Sequence, residues 1–129
     1  MAGTVLVKSK KKSKMAIVIK NRPLIDALND CVVACNFCAT ACLDEDNIKM
    51  LAKCIKLDMD CAVICQLAVT LLSRGSEHGK HVLNECLEVC NLCATECEKH
   101  AAMGMQHCAD CAEVCRKCIE FCNEYKMAA

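Results

Sequence analysis

Cysteine is the side chain of this sequence with the most evident chemistry, because 16 of the 129 residues are cysteines. They recur at intervals of three, four and seven residues, the spacing of positions that share one face of an α-helix. Each run of cysteines therefore predicts a helix with a stripe of thiols along one side. The four runs are Cys31, Cys35, Cys38 and Cys42; Cys54, Cys61 and Cys65; Cys86, Cys90, Cys93 and Cys97; and Cys108, Cys111, Cys115, Cys118 and Cys122.

Thiols at this spacing favour metal binding over disulfide formation. Side chains three or four residues apart on a helix have Cβ atoms about 5–6 Å apart, whereas a disulfide needs about 3.5–4.5 Å. Thiolates select Cu(I), zinc or iron–sulfur clusters. Structural zinc sites are closed sets of four ligands, and iron–sulfur ligands commonly lie on loops. Continuous helical stripes suit many Cu(I) ions, each bridged by two or three thiolates.

Four long helices are predicted to carry these stripes. They cover about residues 24–43, 47–73, 76–100 and 105–126, with Pro23 in the first turn of the first helix. The acids between Leu43 and Ile48 are expected to cap the second helix, and Gly75 is placed for a left-handed cap at its end. Brief connections without strand alternation predict an all-α, antiparallel up-down four-helix bundle with a cysteine-lined core.

An internal repeat relates the two halves of this bundle. The run CNFCATAC that begins at Cys35 matches CNLCATEC at Cys90, an offset of 55 residues. A weaker match relates the segment at Asp60 to the one at Asp110. The repeat predicts a duplicated helical hairpin with pseudo-twofold symmetry.

The cysteine stripes are expected to face the bundle axis, because the positions between them are charged. These outer positions are Asp30, Glu85, Glu88, Glu96, Glu98, Asp110, Lys117 and Glu120. Apolar residues beside the stripes are expected to fill the seams between helices: Val33, Ile48, Leu51, Ile55, Val63, Leu67, Val69, Leu87, Val89, Val114 and Ile119.

Residues 1–22 are predicted to be a mobile basic leader, and residues 23–127 the bundle. The chain carries 16 basic and 16 acidic side chains, which argues against a nucleic-acid or membrane partner. The apolar piece near Met15 is too short for the core of a secretory signal. We therefore expect a cytoplasmic protein, in which thiols stay reduced.

The two ends of the thiol channel are predicted to differ. At one end Leu24, Leu28, Leu72, Leu83 and Tyr125 lie beyond the last cysteines and would plug the channel. His78 and His81 lie at this end and are given no metal role. At the other end the stripes continue into Met50, His100, Met105 and His107, which we call the mouth residues. Thioether and imidazole groups are exchangeable copper ligands, so copper is expected to enter there.

The repeated CxxxCxxCxxxC runs resemble those of the bacterial copper storage proteins, over about residues 24–126. The resemblance implies a four-helix bundle that stores many Cu(I) ions, in the cytosolic branch of that family. It also implies a homo-oligomer, a tetramer by family resemblance, with a copper chaperone as a possible donor. One departure is Asp58, which stands where the second stripe would carry a further cysteine. One copper per cysteine gives an upper limit of about sixteen ions, which Asp58 is expected to lower.

Other thiol chemistry is less compatible with this pattern but stays open as an alternative. A zinc buffer or an iron–sulfur site would use the same ligand type. A thiol redox protein would need an activated, accessible cysteine, and no histidine or lysine lies within the stripes to activate one. The sequence shows no catalytic constellation, so we do not expect an enzyme.

Overall fold

The computed structural model describes residues 13–128, except for the side chains of the last two. These residues form helices and turns and contain no strand. The α-helices are α1 (Lys14–Lys20), α2 (Arg22–Leu43), α3 (Ala52–Ser73), α4 (Gly79–Ala101) and α5 (Gln106–Ala128). A short 3-10 helix, Ile48–Leu51, precedes α3.

The long helices α2 to α5 form the predicted antiparallel bundle. Each packs against its two neighbours, α2 on α3 and α5, and α4 on α3 and α5. Positions related by the repeat are buried alike: Leu28 and Leu83 are both fully buried, and Ala62 and Ala112 are both 4% exposed. The duplicated hairpin therefore places equivalent side chains in equivalent environments.

Two helix ends differ in how well the sequence predicted them. Gly75 has φ +65°, and its N–H donates to Leu72 O at 3.1 Å while the Ser76 N–H donates to Leu71 O at 2.9 Å. These two backbone hydrogen bonds form a Schellman cap, the left-handed cap that the glycine predicted. The predicted acidic cap of the second helix is wrong. Asn47 precedes the 3-10 turn without a side-chain cap, and the α-helix begins only at Ala52.

Part of the predicted mobile leader is helical, since α1 covers Lys14–Lys20. Ser13 caps α1 by accepting the Ala16 N–H at 3.1 Å, and Val18 packs against the bundle core. Residues 1–12 of the leader lie outside the described part of the chain.

The apolar residues that were predicted to fill the seams between helices divide into a buried group and an exposed group. Leu51 and Val89 are buried, and Ile55, Val69, Leu87, Val114 and Ile119 pack against the core. The seam prediction is wrong for four residues: Val33, Ile48, Val63 and Leu67 are 69%, 43%, 69% and 47% exposed. These side chains stay at the outer surface because cysteine fills the inner face of each helix.

Helix α2 alone among the described helices has the length and composition of a membrane span. A helix in the core of a bundle meets the same criteria, and the inner face of α2 is buried, including all four of its cysteines.

Candidate metal site

All 16 cysteines are buried and free, and they fill the axis of the bundle. Fifteen are fully buried, and Cys111 is 1% exposed. The four stripes converge because each is the inner face of one helix of the bundle. This placement agrees with the orientation that the charged outer positions predicted, although Glu96 is itself buried, at 5% exposure.

The sulfur atoms make contacts between helices as well as along them. At one level Cys31 Sγ lies 3.7 Å from Cys61 Sγ, 3.9 Å from Cys90 Sγ and 3.7 Å from Cys115 Sγ. These four residues come from α2, α3, α4 and α5. A disulfide would bring two sulfurs to about 2.0 Å, so the column consists of separate thiols.

Groups of four ligand atoms within 4.8 Å of one another follow each other along the axis. Neighbouring groups share members, so the thiols form a continuous column rather than isolated sites. From the plugged end toward the mouth, five of these groups are Cys31, Cys65, Cys90 and Cys118; Cys31, Cys35, Cys61 and Cys115; Cys35, Cys93, Cys111 and Cys115; Cys38, Asp58, Cys97 and Cys111; and Cys38, Cys42, His107 and Cys108.

These separations match those of metal thiolates. A metal centred among three sulfurs at a bond length of about 2.3 Å, as in zinc sites, holds them about 4.0 Å apart. Sulfur contacts in the column measure 3.6 Å between Cys54 and Cys97 and 4.0 Å between Cys38 and Cys108. Small rotamer changes would therefore suffice for three-coordinate or two-coordinate metals.

Asp58 does not leave a gap in the stripe of α3. Its side chain is fully buried, and Oδ1 accepts from Cys93 Sγ at 3.0 Å and lies 3.5 Å from Cys111 Sγ. Oδ2 lies 3.8 Å from Cys54 Sγ. The sequence register placed this residue on the stripe, one turn from Cys54, but its contacts with Cys93 and Cys111 emerge only from the packing of α4 and α5 against α3.

Burial and neighbouring thiols raise the pKa of several groups of the column in the metal-free protein. Burial, followed by the nearby Cys111 and Cys93, raises the pKa of Asp58 to about 11. Burial is likewise the main cause that raises the pKa of the Cys42 thiol. Cys118, within hydrogen-bonding reach, is the main cause that raises the pKa of the Cys122 thiol, with burial second. The apolar interior thus favours neutral groups at these positions.

The predicted plug is buried. Leu28 and Leu83 are fully buried, Leu24 and Leu72 are 4% exposed, and Tyr125 packs against the same core. His78 and His81 are exposed.

The mouth residues lie in different environments at the opposite end. His107 Nε2 is 3.5 Å from Cys42 Sγ, so this imidazole joins the thiol column directly. His100 is 2% exposed and contacts Glu96. Met105 is half-buried against the core, and Met50 is 39% exposed. The structure thus brings His107 to the cysteines and leaves Met50 at the surface.

Sequence reasoning missed Glu96, which it placed among the outer charges. The signal that identifies it is its spacing of four residues from His100, which puts the two side chains on the same face of α4.

Comparison with protein families decides what kind of protein carries this column. The family model described as "Copper storage protein" matches residues 19–127. The chain belongs to the copper storage protein family. The match includes every cysteine and all four bundle helices.

Solved members of the copper storage family have the same fold. The Streptomyces lividans protein Ccsp, in a structure loaded with 10 copper equivalents, is 41% identical, with a TM-score of 0.77 over 81% of each chain. A cytosolic copper storage protein from Streptomyces lividans, in a structure with five coppers, is 40% identical, with a TM-score of 0.78 over 83% of this chain and 92% of its own. The Cu(I)-bound copper storage protein BsCsp3 is also 41% identical, with a TM-score of 0.74 over 80% of this chain and 94% of its own.

A curated relative extends the comparison to a protein without an assigned activity. The uncharacterized cysteine-rich protein YhjQ of Bacillus subtilis strain 168 is 44% identical over 62 residues. The match spans 48% of this chain and 57% of that relative's length.

Proposed function

We propose that this chain stores Cu(I), binding many cuprous ions through its cysteine thiolates inside the four-helix bundle. The observation that carries the proposal is the continuous column of 16 buried, unpaired cysteines. Soft thiolates suit Cu(I), and sulfur separations of 3.6–4.0 Å suit ions shared between neighbouring thiolates. The copper-loaded relatives in the same family support this choice of metal.

The proposed ligands are the 16 cysteines, with Asp58 as an oxygen ligand within the column. Asp58 supports this role because it lies in one group with Cys38, Cys97 and Cys111. His107 is the proposed ligand at the mouth end of the column, since its Nε2 lies 3.5 Å from Cys42 Sγ. His100, Met105 and Met50 would pass the ion inward from the surface.

An anaerobic titration of the fully reduced protein with Cu(I), against a competing chromophoric chelator, tests the proposal. We expect a plateau of at least ten ions per chain and a colourless protein. A plateau at one or two ions would refute storage. A brown product after reconstitution with iron and sulfide would instead favour an iron–sulfur site, and preferential retention of zinc would favour a zinc buffer.

Variants within the column locate the ligands. Replacing Cys31, Cys61, Cys90 and Cys115 together by serine removes one complete level of thiols and should lower the plateau by several ions. Serine keeps the side-chain volume close to that of cysteine. The matched control replaces the exposed His78 and His81 at the plugged end, where no change in the plateau is expected. An equal plateau in the serine variant would contradict the assignment of these ligands.

We infer that the mouth controls the rate of loading rather than the capacity. The support is the position of His107 beside Cys42 and the buried plug at the opposite end. Replacing His100, Met105 and His107 together should slow Cu(I) uptake in stopped-flow experiments and change the plateau by few ions. An unchanged rate would place the entrance elsewhere.

We further propose a cytosolic homo-oligomer that acts in copper homeostasis and is not an enzyme. The cytosolic relative supports the location.

Val33 and Phe37, which are 69% and 66% exposed, line an outer groove between α2 and α5 together with Phe121. Burial of this apolar surface would stabilise an oligomer. Analytical ultracentrifugation should show a tetramer that Phe37→Lys weakens, and a monomeric wild type would refute it.

A further inference from the structure

A buried pair of charged and polar side chains lies beside the mouth, outside the thiol column. Glu96 and His100 stand one turn apart on α4 and are 5% and 2% exposed. His100 Nε2 lies 3.1 Å from Glu96 Oε2. His100 also stands three residues after Cys97, so it extends the cysteine stripe of α4 by one position.

The other oxygen of Glu96 is held by two lysines. Lys99 Nζ lies 3.2 Å and Lys53 Nζ lies 3.8 Å from Oε1. Lys99 comes from α4 and Lys53 from α3, so the carboxylate is fixed from two helices. A buried carboxylate is costly unless it is paired and hydrogen-bonded, and these contacts supply both conditions. Oε2 is thereby left to His100.

The carboxylate decides which nitrogen of the neutral imidazole carries the proton. An ionised carboxylate can only accept a hydrogen bond, and a neutral imidazole has one donor and one acceptor nitrogen. Nε2 therefore donates to Glu96, and the lone pair lies on Nδ1. That Nδ1 is buried and has no hydrogen-bond partner among the described residues. A buried acceptor without a partner is uncommon in folded proteins, and a metal ion would satisfy it.

The second mouth histidine lacks such a fixed partner. His107 Nδ1 is 4.0 Å from Glu45 Oε1, and the Glu45 side chain is 40% exposed. The two histidines thus differ in kind, because His107 contacts the thiols directly and His100 is held by a buried carboxylate.

We propose that Glu96 is a positioning residue for copper entry, which accepts the Nε2 proton of His100 and so presents Nδ1 as a ligand for an incoming cuprous ion. Lys53 and Lys99 hold Glu96 in place. A carboxylate that orients a ligating histidine commonly changes metal affinity or activity by about 10- to 100-fold. This inference rests on the proposed function, since it assigns a residue to the loading step.

Nuclear magnetic resonance of the reduced, metal-free full chain tests the tautomer directly. Long-range proton–nitrogen spectra of the histidine rings, with His100→Gln to assign the signals, should show His100 protonated on Nε2. Glu96→Leu should remove this preference. The matched control is Glu98→Leu, which removes an exposed carboxylate that contacts Arg116 and should leave the His100 spectrum unchanged. A wild-type His100 protonated on Nδ1 would overturn the proposal without any variant.

Loading kinetics test the consequence. Glu96→Leu should slow the uptake of the first Cu(I) equivalent by about tenfold, whereas Glu98→Leu should load at the wild-type rate. In a His100→Ala background, Glu96→Leu should cause no further slowing, because the carboxylate acts through His100. Additional slowing in that background, or no slowing in the single variant, would overturn the proposal. The saturation plateau is the separate readout: a wild-type plateau of one or two ions would refute the proposed storage function itself.

Discussion

The buried Asp58 should make the stability of the metal-free protein depend on pH in a way that one substitution removes. In the folded chain its pKa is raised from 3.8 to about 11 by burial and by the neighbouring Cys111 and Cys93. In the unfolded chain the carboxyl regains its ordinary pKa. Between these two values the unfolded chain is ionised at this position while the folded chain keeps the proton.

The sign follows from this difference in bound protons. The stabilising contribution of the protonated group is fully present below the unfolded pKa and is lost as the pH rises toward the folded pKa. Each pH unit within this window lowers the free energy of unfolding by about 1.4 kcal/mol for one group. From pH 5 to pH 7 the loss from Asp58 is therefore about 3 kcal/mol.

Asp58→Asn removes the titration and keeps nearly the same shape. As the pH rises, the free energy of unfolding of the variant should gain about 1.4 kcal/mol per pH unit relative to that of the wild type. Urea unfolding of the reduced, metal-free proteins at pH 5, 6 and 7 measures it. Titrating groups that do not contact Asp58 are shared by both proteins and cancel in the difference, whereas the thiols of Cys93 and Cys111, which contact it, titrate together with it.

Asp60→Asn is the matched control, because Asp60 lies two residues further along α3 and is exposed. Its difference from the wild type should be small and nearly independent of pH. A difference for Asp58→Asn that stayed constant from pH 5 to pH 7 would refute the reasoning, because Asp58 would then bind protons equally in both states.

Three further predictions concern the plug, a helix cap and the protons of the thiols. Leu83→Ala should lower the free energy of unfolding of the metal-free protein by about 2–5 kcal/mol, since Leu83 is fully buried; a loss below about 1 kcal/mol, measured by urea unfolding, would contradict a well-packed plug. Gly75→Ala should lower the free energy of unfolding by about 1–2 kcal/mol, because Gly75 has φ +65°, a left-handed conformation that a Cβ atom disfavours. Gly75→Asn should cost less in the same assay, and equal losses would argue against a conformational cause. Copper loading in weak buffer should release protons, because thiols such as Cys42 and Cys122 have a raised pKa in the empty protein and bind a metal only as thiolates; a pH-stat titration with negligible release would show that the thiols were already ionised.

The spacing of residues along the chain is enough to predict the helices, the bundle and the inward direction of the thiols. Cysteines at intervals of three and four lie together on one face of a helix. The charged residues between them need the water-exposed face, so the cysteine face must point inward. The repeat at an offset of 55 residues then required two similar hairpins. The glycine at position 75 marked a left-handed cap because few other residues adopt that conformation without strain.

Which polar residues enter the interior depends on how the helices pack against one another. Asp58 and Glu96 are both acids on helices rich in charge, yet Asp58 contacts thiols of α4 and α5 and Glu96 is enclosed with His100 and two lysines. Val33 and Val63 show the reverse case, as apolar residues left at the surface. Periodicity fixes the angle of a side chain around its own helix, but burial depends on how closely the neighbouring helices approach at that level, and only the packed bundle sets those distances.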